Sequence, residues 1–212
     1  MHRTTLRRLA SATGAITLAL SLAACGDDGG DGDAKQRPTA VETARNGDVF
    51  NQADVDFATA MIPHHAQALQ MALLAQDRPL PPEVRTLVDQ VQAAQTPEVE
   101  TMTTWLTDWD QDIPATSMDH ANAGHDMGDT GEMEGMEGMM SGTAMAELED
   151  ASDEAFPKLW MTMMIEHHEG AITMARTEQE DGRFPDAVAL ARAIVDGQAA
   201  EIATMKALLG QQ

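Results

Sequence analysis

Met61-Ile62-Pro63-His64-His65 returns 103 residues later as Met164-Ile165-Glu166-His167-His168, and that recurrence decides the fold. Laid over each other without a gap, 61–106 and 164–209 agree at 15 of 46 positions, among them Ala68/Ala171, Met71/Met174, Gln95/Gln198, Glu98/Glu201 and Met102/Met205. A repeat of this length signals two similar halves packing together, because one helix pair alone cannot bury its apolar face.

Outward from the histidines, the apolar residues keep helical time. At 100° per residue Phe57, Met61, His64, Ala68, Met71, Ala72 and Ala75 share one sector, with His65 and Leu69 at its edge. The spacing predicts a helix over 51–76, capped by Asn51 or Asp54 and stopped by Pro79-Leu80-Pro81-Pro82. Pro63 lies inside it, where a missing amide and a ring clash predict a kink before the histidine pair. A second helix is expected from Pro82 to about 109. The second half repeats the plan, with a short helix at 144–150, a long one from Ser152 or Asp153 to 179, and a last one from Phe184-Pro185 to 209. The expectation is an all-α, antiparallel four-helix bundle made of two helix-pair repeats, 50–109 and 144–210, within a domain spanning 48–212.

Between the repeats, 110–143 loses all periodicity and reads as a disordered insertion. It nevertheless carries soft donors: Met118, His120, His125, Met127, Met133, Met136, Met139 and Met140. From 117 to 154 there are eleven carboxylates and no Lys or Arg. The whole chain has a net charge of -22, which excludes a phosphate backbone as partner and suits attraction of cations.

At the N-terminus Arg3, Arg7 and Arg8 precede an apolar run from Ala10 to Ala24, the pattern of an export signal too short for a membrane span. It ends in Leu22-Ala23-Ala24-Cys25, which resembles a lipoprotein box, so 1–24 is expected to be removed and Cys25 to carry lipid. The membrane is then met through that anchor alone, on the outer side of the cytoplasmic membrane or in the envelope. Residues 25–47 read as a flexible tether. As Cys25 is the sole cysteine, neither a disulfide nor a thiolate metal site is available within the chain.

Imidazole and thioether are intermediate and soft ligands, suited above all to copper as Cu(I) or Cu(II), and carboxylate adds a harder oxygen. Met61, His64, His65, Met71, Glu98 and Met102 from one half, with Met164, His167, His168, Met174, Glu201 and Met205 from the other, are candidates to converge in a bundle core. Adjacent histidines point about 100° apart, so one of each pair can ligate while its neighbour is oriented by a carboxylate. The mobile methionines of the insertion could collect the ion. Against this stands a purely structural network, His bonded to Glu98, Glu201, Gln95 or Gln198, in a ligand-free envelope scaffold.

The paired motifs Met61 to Ala72 and Met164 to Ala175, each followed by the Gln-x-x-Glu-x-x-x-Met signature at 95–102 and 198–205, resemble the DUF305 family of exported bacterial proteins over about 50–209. The resemblance implies a ferritin-like four-helix fold, the double histidine as its functional element, and a metal-handling role, copper especially. A ferritin-like fold also raises a di-iron oxidase, whose sites use Glu-x-x-His; Met61, Ile62, Met164 and Ile165 occupy the places where those glutamates would stand. With no nucleophile triad, phosphate loop or redox cysteine pair, the sequence reads as a non-enzyme.

Overall fold

The computed structural model describes residues 40–116 and 136–210, which belong to one compact unit. Five helices and one two-stranded sheet account for the described residues: β1 Val41–Thr43, β2 Val49–Asn51, α1 Gln52–Leu74, α2 Pro82–Asp108, α3 Gly142–Asp150, α4 Phe156–Asp181 and α5 Pro185–Leu209. The four long helices fall where the hydrophobic period places them. Proline opens the first turn of α2, α4 and α5, where a missing amide costs nothing. α1 and α2 continue through Pro63 and Pro97. α4 starts at Phe156, later than expected, because a turn at Ser152 takes the first amides: Ala155 N donates to Ser152 Oγ and Phe156 N to Ser152 O.

Asn51 is the cap of α1. Its side-chain oxygen accepts from Asp54 N at 3.2 Å, Asp54 Oδ2 accepts from Asn51 N at 2.7 Å, and its amide donates to Asp181 O on α4 at 2.8 Å. Replacing Asn51 by Ala is expected to cost about 1–2 kcal/mol, read as a lower urea midpoint at unchanged slope.

The tether expected over 25–47 gives way to a hairpin, so the fold is not purely helical. Val41 pairs with Asn51 and Thr43 with Val49, antiparallel, around a turn in which Gly47 holds φ 96°. Asn46-Gly47 between β-branched residues is a hairpin signal that composition alone hides. Phe50 then stacks on Trp109 with ring centroids 4.5 Å apart, Phe184 meets that indole edge-on at 5.2 Å, and Trp109 Nε1 donates to Asp48 Oδ2 at 3.1 Å. The hairpin is thereby fastened to the end of α2.

α1 packs most extensively on α2 and α4 on α5, and the halves meet chiefly where α1 lies against α4. Their cores interlock. Ala68 and Met71 of the first half join Trp160, Met161 and Met164, while Ala171 and Ala175 of the second join Phe57, Met61 and Met102. The end of the insertion is also ordered: 136–141 runs along this seam and leads into α3. Arg78 holds α3 in place by donating to Ala151 O and Glu149 O while its guanidinium lies 4.5 Å over the Phe156 ring. No helix among the described residues is long and apolar enough to cross a membrane.

Candidate metal centre

Both histidine pairs lie at the α1–α4 seam, and all four imidazoles are 0% exposed. Ala68 and Ala171, one turn further on, are small and buried, which lets the helices approach. His64 and His167 face each other with ring centroids 3.8 Å apart and planes tilted by 39°. The second member of each pair turns to its partner helix. His65 Nε2 lies 2.7 Å from Glu98 Oε2, and His168 Nε2 lies 2.6 Å from Glu201 Oε2. These twin contacts come from identical residues at identical repeat positions.

The partners fix the tautomers. A carboxylate or a main-chain carbonyl only accepts, so Nε2 of His65 and His168 carries the hydrogen, and so does Nε2 of His64, 3.3 Å from the Glu137 carbonyl. Nδ1 of each is buried and without a hydrogen bond. His167 makes no well-formed hydrogen bond through either nitrogen. Burial pushes the His64 imidazole down to about 3, with His65 beside it acting in the same direction, and burial with the charge of His64 holds His167 well below its ordinary range. Both rings are therefore neutral at physiological pH, the form that binds metal.

The remaining donors surround this centre unevenly. Met61, Met71, Met102, Met164 and Met205 are buried and Met174 is half-buried. Glu98 and Glu201 keep 17% of their side chains exposed and serve the outer histidines. Gln95 and Gln198, again equivalent, are buried with both amide atoms unpartnered. Among the described residues no three His, Asp or Glu side chains gather closely enough to hold an ion unaided. Glu98 and Glu201 each bond the outer histidine of their own half, and the buried thioethers belong to the same two core clusters.

Met140 is not a mobile donor: it is 7% exposed and packed with Met71, Leu148 and Trp160. Its main chain is clamped by Gln67, whose Nε2 donates to Met140 O at 2.8 Å and whose Oε1 accepts from Met140 N at 2.7 Å. Met136 and Met139 are half-buried in the same stretch. Cys25, Met118, His120, His125, Met127 and Met133 lie outside the described residues. Sequence reasoning missed Gln67, although its divergence from Gly170 at the equivalent repeat position was visible. It also missed Glu178, buried beside Asp54 at the far end of α4, where burial and the Asp54 carboxylate push its carboxyl up to about 9.

The family described as "Domain of unknown function (DUF305)" matches residues 54–209. The chain is a DUF305 protein. A solved DUF305 fragment from Deinococcus radiodurans is 30% identical, with 81% of this chain and 100% of that one covered and a TM-score of 0.64. The DUF305 chain also resembles CopM in its Cu(I)-bound form, 26% identical with a TM-score of 0.59, and in its Cu(II)-bound form, 28% identical with a TM-score of 0.60; each covers 74% of this chain and 96% of CopM. No curated protein matches the sequence.

Proposed function

We propose that this is an exported, lipid-anchored copper-binding protein that sequesters or buffers the ion, with α1, α2, α4 and α5 forming an antiparallel, ferritin-like four-helix bundle around it. The observation that carries this reading is the set of unpartnered imidazole nitrogens, Nδ1 of His64, His65 and His168 and both nitrogens of His167, buried among thioethers. Buried polar atoms demand partners, and leaving them bare costs about 1–3 kcal/mol each. A soft cation would satisfy Nδ1 of His64 and the unprotonated nitrogen of His167. The likeness to CopM in two copper states supports copper as that cation. His64 and His167 with Met61, Met164 or their neighbours would hold it, while His65 and His168, steered by Glu98 and Glu201, stand as the outer pair. The acidic surface concentrates cations, and the donors from Met118 to Met139 collect them.

The His–Glu bonds, and the lack of a three-group His/Asp/Glu cluster among the described residues, favour one rival, a scaffold whose histidines are structural. Calorimetric titration of the full chain with Cu(I) and Cu(II) separates the two. Saturable uptake that persists after deletion of 117–135 and disappears when His64→Leu/His167→Leu is added to that deletion is the expected result. Heat of dilution alone would establish the scaffold.

A further inference from the structure

The geometry points to residues 136–140 as a strap that closes the seam over the His64–His167 pair, seated by Gln67 and Gly170 as positioning residues; this rests on the metal reading above. Four observations converge on it. The Glu137 carbonyl accepts from His64 Nε2, so the strap does for His64 what Glu98 and Glu201 do for the other two oriented rings. Gln67, one turn from His64, grips both the N–H and the C=O of Met140. Gly170, one turn from His167, leaves room for the strap backbone: a Cβ there would overlap the Glu137 carbonyl. Gly138 adopts φ 81° and lies so close to the main chain of Glu166 and His167 that a Cβ would meet their carbonyls at 2.9 and 3.0 Å.

Gln67 and Gly170 occupy the same position in the two repeats, 103 residues apart, whereas His64/His167, His65/His168 and Ala68/Ala171 around them are identical. One strap crossing a two-fold arrangement needs a clamp on one side and a gap on the other. That requirement accounts for the divergence. An ion moving along the α1–α4 seam passes only when the strap lifts, which breaks the Gln67 bonds and frees His64 Nε2. Once the ion is inside, reclosure restores the carbonyl that aims Nδ1 inward, and release slows.

The test loads the full chain with Ag(I), a soft ion that keeps one oxidation state, and follows its transfer to excess thiosulfate. Gln67→Ala and Gly170→Ala are each expected to release it about tenfold faster at unchanged stoichiometry, the scale of one or two lost hydrogen bonds. Gly170→Ala guards against simple unfolding, since alanine is the better helix former. In the metal-free parent, nitrogen-15 spectra should give His64 as the Nε2–H tautomer with a slowly exchanging proton, and Gly170→Ala should make that proton exchange quickly. Unchanged release in both variants, or an Nδ1–H tautomer at His64, overturns the strap. A parent that takes up no Ag(I) removes the metal reading, and the tautomer and proton exchange then decide the strap by themselves.

Discussion

Without metal, the protein is expected to be most stable near pH 6.5 and to weaken on both sides. His64 ionises at 6.5 when unfolded and only at about 3 when folded, and His167 is displaced the same way. Below pH 6.5 the unfolded chain takes up protons that the folded chain refuses, so stability falls as pH drops. Glu178 acts oppositely. Its carboxyl ionises at 4.5 unfolded and about 9 folded, so the folded chain holds a proton that the unfolded chain has lost, and stability falls as pH rises through that window. Each proton contributes a slope of about 1.4 kcal/mol per pH unit. From 4.5 to 6.5 two histidines oppose one carboxyl and prevail; above 6.5 the carboxyl acts alone. Urea midpoints measured from pH 5 to 9 should trace this peak. Glu178→Gln should flatten the alkaline limb, since its amide stays neutral and can still donate towards Asp54. A midpoint that climbs steadily to pH 9 would contradict the assignment.

Replacing Trp160 by Ala is expected to cost about 3–5 kcal/mol, among the largest single-residue losses in this core. The indole is fully buried against Met71, Met161 and Met164. Its Nε1 donates to the Met71 carbonyl at 3.1 Å, where α1 tightens and Ala75 N bonds only three residues back, to Ala72 O. Removing it opens a void and withdraws a donor from the end of α1 together. In a domain of this size the loss corresponds to a fall in Tm of about 10 °C or more. Trp160→Phe keeps most of the volume and loses only the donor, so it should recover most of the difference. Equal losses for Ala and Phe would mean that the hydrogen bond, not the packing, holds that end.

The helices were legible because a period of 3.6 is written into each half, and burial of the histidines followed from their place on the apolar stripe. Pairing of His65 with Glu98 and of His168 with Glu201 was also within reach, since the residues recur together. What periodicity could not show were contacts made across the repeat rather than within it. The strap joins Gln67, Gly170 and a main-chain carbonyl of a segment whose composition suggested disorder. Glu178 stands where Ala75 lies on the apolar sector of the first half, so the repeat pointed to a buried position but not to the Asp54 carboxylate beside it. The hairpin was hidden because three-residue strands carry too little alternation to be heard over a polar background.

Arg78 and Gln67 together moor the chain at 149–151 and at 140, before α4 begins. Sequence changes in the Met- and His-bearing stretch before residue 136 leave both moorings untouched, so its number of sulfurs can vary over generations while the contacts that fasten 140–151 stay as they are.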